Sequence, residues 1–456
     1  MQPGDEGVLS SLLATKELPP NREALVIADR HHTWAQLRES VASIAEGHQR
    51  LARRRVALRF SPTVPSYALL FALEALQADL FLLDSRLPLE EARKLARDFR
   101  LAALLTPTPG QTSRGFAVEE FSEPANWSGT ASVTILTSGT AGKPKAARHT
   151  WQSLGRPARR REESCAPRWL QTYKPNLYAG LQVLLQCFVN YGTLYVPGEG
   201  WEPSEIARWV AENRIEYISA TPSYWRRLLL FSEPTALKAM NPVQITLGGE
   251  VIDQAILDSL KRHFPQTRIV HIYATTELGR CFSVTDGLQG FPKKLLDNPS
   301  ADGVEMRIRN GELFVRSANA MAGYDPYSCQ TSLEGDWVAT GDLVTVAGNR
   351  VVFTGRKTDM INVGGNKVHP IEVEQVIRSV PGVCDVRVFG RRSSISGMLV
   401  ACEIVSDQTQ GHPELQESVR RTCQARLAAF QRPRLIEIVN RIELSVAQKT
   451  VRNEVR

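Results

Sequence analysis

The chain has no CxxC pair among its seven cysteines, Cys165, Cys187, Cys281, Cys329, Cys384, Cys402 and Cys423. An odd, unpaired set excludes a disulfide framework or a zinc site built on paired thiols, and reads as reduced packing residues. There is no long apolar run without charge. The stretch Tyr67 to Leu83 is interrupted by Glu74, Gln77 and Asp79, which makes it too polar for a bilayer span and predicts a core-facing helix. The first residues carry Asp5 and Glu6 where a secretory leader would carry basic residues ahead of an apolar core, so a cytosolic protein is expected. No segment is biased enough to suggest disorder or a fibre, and neither an internal repeat nor a long linker is visible.

What is present is ordinary globular composition, 43% hydrophobic and 23% charged, over 456 residues. That length exceeds what one core usually serves and predicts two or more domains. The net charge of +7 suits anionic ligands such as nucleotides, coenzyme A, acidic carrier proteins or nucleic acid without choosing among them. The clusters Arg53, Arg54, Arg55 and Arg159, Arg160, Arg161 lack interleaved aromatics, and the second runs into Glu162 and Glu163. Both read as solvated surface, so no nucleic-acid partner is expected.

Between Trp201 and Glu277 helix and strand signals alternate. Pro203 and Ser204 open a helix with Ile206, Val210 and Ile215 inward, and Ile215 to Ala220 reads as a strand. Thr221 and Pro222 open a second helix; Val243 to Leu247, Ile252 to Phe264 and Ile269 to Tyr273 read as strand, helix and strand. This alternation predicts an α/β fold with parallel-rich sheets flanked by helices, whose ligands sit beyond the carboxyl ends of strands. Gly248, Gly249, Ala274, Thr276 and Glu277 fall there. After Arg356 the texture changes. Pro370 starts a helix with Glu372 and Glu374 in its first turn, strands follow at Val386 to Phe389 and Met398 to Val405, then a helix carrying Leu415, Val419, Cys423, Leu427 and Phe430 on one face, and a strand at Leu435 to Val439. A small α+β unit is expected, with the boundary near Thr354 to Thr358: residues 1–356 form the large unit and 357–456 the small one.

Four segments carry chemistry. TSGTAGKPK, Thr137 to Lys145, follows the strand-like Val133 to Leu136. Its small residues let backbone N–H groups face phosphate oxygens while Lys143 and Lys145 supply charge; it lacks the Walker spacing, and a plain turn is the competing reading. IYATTE, Ile272 to Glu277, brings a ring, a hydroxyl and a carboxylate together, a trio able to stack a base, bond a phosphate and hold Mg²⁺, or else a buried tyrosine beside a helix cap. TGD, Thr340 to Asp342, and GRKTDMINVGGNKVHPIEVE, Gly355 to Glu374, place an aspartate and an arginine that suit ribose hydroxyls and phosphate or form a surface ion pair.

In this order and at these separations the four segments resemble the core motifs of the adenylate-forming superfamily: acyl- and aryl-CoA synthetases, peptide-synthetase adenylation domains and firefly luciferase. The resemblance runs from about Ala24 to Arg456 and implies an AMP-forming ligase with ATP, Mg²⁺ and coenzyme A. It implies that Thr137, Ser138, Gly139, Thr140, Gly142, Lys143 and Lys145 hold the ATP phosphates. Gly248, Gly249 and Glu250 would line the adenine pocket with Tyr273 stacking on the base and Ala274 beside it. Thr276 would bond the α-phosphate, Glu277 would coordinate Mg²⁺, and Asp342 would accept the ribose hydroxyls, assisted by Arg356. The closing segment RPRLIEIVNRIELSVAQKTVR resembles the family's last motif and places Lys449 where the catalytic lysine belongs. The resemblance also implies a small domain that turns about a hinge at Thr358, presenting first Lys449 and then the thiolation loop with Gly364, Gly365 and Lys367.

Attack of a carboxylate on a phosphate brings two anions together, so Mg²⁺ and a mobile ammonium are the groups this chemistry needs. Several positions depart from the pattern. Ala141 stands for threonine, Ala146 and Ala274 for glycine, Thr358 for the usual aspartate or lysine at the hinge, Gln448 for the glycine before the lysine, and Glu443 for a proline. In the acid-binding stretch Leu177 stands where many members carry histidine, leaving Lys174, Asn176 or Tyr178 to position the carboxylate. His149 reads as a structural hydrogen-bonding residue. No acidic residue lies between Trp169 and Gln186, which disfavours an amino-acid substrate. An aryl or medium-size apolar acid is expected, with Asn176, Leu177, Tyr178, Leu181, Trp225 and Leu278 as pocket candidates and core packing as the competing role for each apolar one. The chain is as compact as o-succinylbenzoate-CoA ligases, with which it shares a likeness in PKAARHT. The acceptor is expected to be coenzyme A; a carrier protein or an amine is the alternative, and a non-catalytic nucleotide-binding relative is the reading from another class.

Overall fold

A computed structural model describes residues 8–15, 18–108, 115–127, 129–137, 145–160, 166–300, 302–328, 336–393, 397–407, 411–445 and 448–450. The expected helix and strand alternation is there. Pro203–Glu212, Tyr217–Ala220, Pro222–Phe231, Gln244–Leu247, Gln254–His263 and Arg268–Thr275 follow one another as helix, strand, helix, strand, helix and strand, with the short helix Pro234–Ala239 before the second strand. Thr221 caps the helix Pro222–Phe231 by accepting from the Tyr224 N–H, and Asp253 caps Gln254–His263 by accepting from Ile256. These are the side-chain oxygens that satisfy otherwise orphaned first-turn donors.

The strands join an eight-stranded sheet in the order Gly279–Val284, Arg268–Thr275, Gln244–Leu247, Tyr217–Ala220, Arg168–Leu170, Thr193–Val196, Glu23–Ile27 and Arg30–Thr33. The six inner strands run parallel and the two edges antiparallel. A seven-stranded sheet is built likewise around four parallel strands, Ser132–Thr137, Asp79–Asp84, Arg55–Phe60 and Ala103–Pro107. The main core lies between the two sheets, filled by the helices Trp34–Gly47, Val64–Ala75 and Tyr178–Phe188. Other helices cover the outer faces. Burial on both sides makes the strands near-continuously apolar, as Leu80, Phe81, Leu82 and Leu83 show.

That strand corrects the reading of Tyr67 to Leu83 as one helix. The helix stops at Ala75, Gln77 turns the chain with a φ of 56°, and Asp79–Asp84 is a strand. A run of this composition cannot be divided by periodicity once both pieces are fully buried. The solvated reading of Arg53 to Arg55 also needs correction. Arg53 and Arg54 are exposed, but Arg55 is buried, paired with Asp79 at 2.9 Å and with Asp325, and donating to the Phe99 carbonyl. Two carboxylates and a carbonyl compensate the desolvated guanidinium. None of the five described cysteines is in a disulfide, and four are buried.

A five-stranded antiparallel sheet follows, its central hairpin Val338–Ala347 and Arg350–Arg356. From Ile361 on, the chain closes a core of its own. The helices Pro370–Arg378 and His412–Arg426 pack on the strands Val383–Ser393, Gly397–Ser406 and Leu435–Ile438. Leu415, Val419 and Cys423 point inward as the 3.6-residue period requires, while Phe430 lies beyond the helix end and is exposed. No described helix is long and apolar enough to cross a membrane.

Candidate active site

The carboxyl ends of three neighbouring parallel strands form one ledge. Ala220 leads into Thr221, Leu247 into Gly248, Gly249 and Glu250, and Thr275 into Thr276 and Glu277. The last pair sits on a hairpin tip, not beside a helix cap. Thr275 pairs with Gly279, so Thr276, Glu277 and Leu278 are a three-residue loop, with Gly279 at φ 69°. Gly279, the first residue of the return strand, takes the left-handed conformation that a glycine adopts without cost. A β-carbon at Gly279 would lie 2.6 Å from the Asn319 carbonyl oxygen. The register slips between Tyr273 and Ala274, a bulge that re-aims the strand end. Ala274 does not take a positive φ, so its methyl carries no backbone strain. Ala146, the other alanine in place of glycine, is fully buried in a core.

Two polar contacts fix the hairpin from below. The buried His149 ring bonds the Thr276 carbonyl through Nε2 at 2.6 Å, with Nδ1 3.2 Å from the Ser153 hydroxyl. Burial pushes its pKa down from 6.5 to about 4, the carbonyl only partly opposing, so the ring is neutral. The Glu277 carbonyl accepts from the Met321 N–H, and its carboxylate faces the Tyr324 hydroxyl at 3.4 Å. Tyr324 in turn lies under the Lys145 ammonium, 5.7 Å from the ring centre.

Asp342 and Arg356 are direct cross-strand partners in the antiparallel sheet, which explains how residues fourteen apart come to form an ion pair. Arg356 Nε donates to Asp342 Oδ1 at 2.8 Å, and the Tyr273 hydroxyl donates to Oδ2 at 2.6 Å. Each carboxylate oxygen keeps a lone pair for a further donor. The Tyr273 ring packs beside Phe282 and Phe353, so its position is set by carboxylate and rings together.

Lys449 arrives at this ledge from beyond the C-terminal core. A β-carbon on Gly249 would lie 3.2 Å from Lys449 Cε, so the bare glycine leaves its stem room. Burial, with Arg356 nearby, lowers the pKa of the ammonium, and Glu250, Asp342 and Glu277 oppose that. Its backbone is pinned on both sides. The Thr221 hydroxyl donates to the Gln448 carbonyl at 2.5 Å, and the Thr450 N–H donates to Glu250 Oε1 at 2.7 Å. Glu250 Oε2 accepts from the Ser223 N–H, and the Ser223 and Thr450 hydroxyls are 2.9 Å apart. Glu250 therefore ties the lysine segment, through Oε1, to the start of the helix Pro222–Phe231, through Oε2. Thr221 and Ser223 are site residues that sequence reasoning missed; their only signal was a helix start.

Of the phosphate loop, Thr137 and Lys145 close the end of the hairpin Ser132–Thr137 and Lys145–Thr150, while Ser138, Gly139, Thr140, Ala141, Gly142 and Lys143 lie outside the described residues. Gly364 and Gly365, with φ of 55° and 90°, make the tight turn of the exposed hairpin Ile361–Val363 and Asn366–Val368, with Lys367 on its return strand. Thr358 bonds the Asp359 carboxylate on the exposed connection before it.

In the acid-binding stretch Lys174 is committed to Asp84 at 3.2 Å. The acidic neighbour thus comes from a distant strand end that the local sequence could not show, and Arg86 shares it. Leu177 caps the helix Tyr178–Phe188 without a side-chain bond. Among the described residues Asn176 Oδ1 is buried with no partner, while the buried Tyr178 hydroxyl lies against the Arg280 backbone and its ring 5.4 Å from His149. Leu181, Trp225 and Leu278 are each fully buried in a different core, Trp225 against Phe264.

Among the described residues no group of three or more His, Cys, Asp or Glu could hold a metal on its own. Glu277 is a single carboxylate with one long contact, which fits a Mg²⁺ ion that takes one carboxylate and completes its shell with substrate phosphates and water.

A family model described as AMP-binding enzyme matches residues 14–325, and one described as AMP-binding enzyme C-terminal domain matches residues 372–449. The 4-chlorobenzoate–CoA ligase of Arthrobacter sp is 31% identical over 284 residues, an alignment spanning 58% of this chain and only 52% of that protein. The 2-succinylbenzoate–CoA ligase of a Listeria monocytogenes strain is 26% identical over 468 residues, 96% of this chain and 97% of that one. Two solved structures share the fold. They are an anthranilate CoA ligase with anthranoyl-AMP, with a TM-score of 0.77 at 20% identity over 97% of this chain and 95% of that one, and the Bacillus subtilis o-succinylbenzoate CoA synthetase with its acyl-adenylate intermediate, with a TM-score of 0.72 at 22% identity over 99% and 98%.

Proposed function

The chain belongs to the AMP-binding enzyme family, and from that premise we propose that it is an AMP-forming acid–thiol ligase. A carboxylate oxygen of the acid attacks the α-phosphorus of ATP and pyrophosphate leaves. The thiol of coenzyme A then attacks the acyl carbon of the adenylate and AMP leaves. The observation that carries this reading is the placement of Lys449 among Glu250, Glu277, Asp342 and Arg356 at the strand ends. An ammonium held there meets the charge that builds on the phosphate in the transition state.

The other roles follow from what each side chain can still do. Asp342, oriented by Tyr273 and Arg356, has acceptor capacity for the ribose hydroxyls, and Tyr273 with Gly248 and Gly249 borders the base. Thr276 bonds the α-phosphate. Glu277 holds Mg²⁺, which when bound neutralises phosphate charge. Thr137 and Lys145, with the loop between them, take the remaining phosphates. Residues 1–356 act as the core and 357–456 as a domain turning at Thr358, so that the Gly364, Gly365 and Lys367 hairpin replaces Lys449 for thioester formation. The relatives named for 4-chlorobenzoate and 2-succinylbenzoate support an aryl acid. Asn176, whose buried Oδ1 has no partner among the described residues, and the neighbouring Tyr178 hydroxyl are the groups to meet its polar end.

The test is acid-dependent ATP–pyrophosphate exchange over aryl, short-chain, long-chain and amino acids, followed by product analysis with and without coenzyme A. Exchange with aryl acids and a thioester only when coenzyme A is present is the expected result. Exchange without thioester would point to a carrier protein or an amine as acceptor, and no exchange with any acid would overturn the reading.

A further inference from the structure

The small domain docks through charges as well as through the segment that carries Lys449. Asp253, at the start of the helix Gln254–His263, uses Oδ1 to cap that helix and Oδ2 to accept from Arg226 at 2.6 Å and from Arg378 at 3.3 Å. Arg226 belongs to the large unit, whereas Arg378 ends the small-domain helix Pro370–Arg378. Arg378 also meets Glu374 at 3.5 Å, Asp385 at 3.6 Å and the Val386 carbonyl at 3.1 Å. Asp253 and the Arg378 side chain are 9% and 14% exposed, so these pairs are only weakly screened by solvent. Burial opposes charge on Asp253, yet the two guanidiniums hold its carboxyl below the usual range. At Asp385 burial wins and raises it, with Arg226 and Arg378 opposing. Charges of alternating sign therefore face each other across the domain boundary.

This cluster adjoins the lysine segment. A cavity of about 20 Å³ is lined by Asp253 and Arg378 together with Glu250 and Thr450, polar and large enough for a water molecule. The arrangement can also be undone at low cost. If the small domain leaves, Arg378 departs with Glu374 and Asp385 while Asp253 keeps Arg226, so neither half carries an orphaned charge of the kind that makes breaking a buried pair expensive.

We propose that Asp253 is a positioning residue for adenylation: by bridging Arg226 and Arg378 it docks the small domain in the orientation that inserts Lys449, and its release accompanies the turn to the thioester-forming orientation. The inference rests on the proposed reaction for its kinetic consequence, but docking itself can be read without chemistry. Asp253→Asn in the full chain keeps the helix cap, since asparagine caps as well as aspartate, and removes the charge. The expected result is a rise of about tenfold in amide hydrogen exchange across Leu444 to Thr450 and a similar fall in acid-dependent pyrophosphate exchange. Thioester formation from a supplied acyl-adenylate should be unchanged, a split that general destabilisation would not produce. Should Asp253→Asn fail to fold, Arg378→Lys keeps the charge beside Glu374 and Asp385 but cannot bridge both domains, and it should show the same split. Unchanged hydrogen exchange and unchanged pyrophosphate exchange in a folded variant would overturn the proposal. A wild type that shows no pyrophosphate exchange with any acid would refute the ligase reading, while the hydrogen-exchange comparison would still decide the docking role.

Discussion

Gln448 precedes the lysine with a φ of 57°, a left-handed conformation that costs a residue with a β-carbon about 1 kcal/mol. The Thr221 hydroxyl holds its carbonyl, so the strain is stored where the docked segment is pinned. Gln448→Gly should remove it and speed acid-dependent pyrophosphate exchange by up to about fivefold, with thioester formation from supplied adenylate unaltered; slower exchange would show that the glutamine side chain itself supports docking. The sequence showed the departure from glycine but not its sign, because the conformation is set by contacts with a strand end more than 200 residues away. The same limit hid the partner of Lys174, which is Asp84. His149 was legible as a structural residue, and its environment predicts a pH effect. Its pKa is about 4 in the folded protein against an ordinary 6.5, so between those values the unfolded chain binds a proton that the native state does not. Stability is full above pH 6.5 and falls as the pH drops toward 4, by about 2 kcal/mol at pH 5. Denaturant titrations at pH 7 and 5 should show that loss in the wild type and its absence in His149→Gln; equal pH dependence in both would contradict the assignment.

Among the elements, the hairpin of Arg268–Thr275 and Gly279–Val284 matters most, because its tip carries Thr276 and Glu277. Its first strand was readable from an apolar run, whereas the return strand was not, since GRCFSV alternates weakly. The one usable sign was the glycine directly after the three-residue loop. Gly279→Ala would combine a positive φ of 69° with a β-carbon 2.6 Å from a backbone oxygen, costing ~2–4 kcal/mol and displacing the tip. Thermal unfolding should show the lower midpoint, and pyrophosphate exchange measured well below that midpoint should also fall; a variant as stable and active as the wild type would mean that the loop tolerates another turn type. The elements that were well anticipated, such as Gln244–Leu247, Pro222–Phe231 and Pro370–Arg378, have a proline, a capping residue or a glycine at their ends. The run from Tyr67 to Leu83 was misread because neither of its two elements has a polar face.

Taken whole, the molecule brings five separated segments to one ledge: two strand ends of the large sheet, the Asp342 and Arg356 pair of the antiparallel sheet, the hairpin held by His149, and a lysine from the far end of the chain. The order of motifs made the segments recognisable. Their convergence, and the braces from Thr221, Ser223 and Glu250, needed the fold. The central claim is that Lys449 serves one half-reaction only. Lys449→Ala, assayed for acid-dependent pyrophosphate exchange and separately for thioester formation from supplied acyl-adenylate and coenzyme A, tests it directly. The account predicts exchange reduced by about 10²-fold or more with thioester formation largely intact; equal loss of both half-reactions, or of neither, would contradict it.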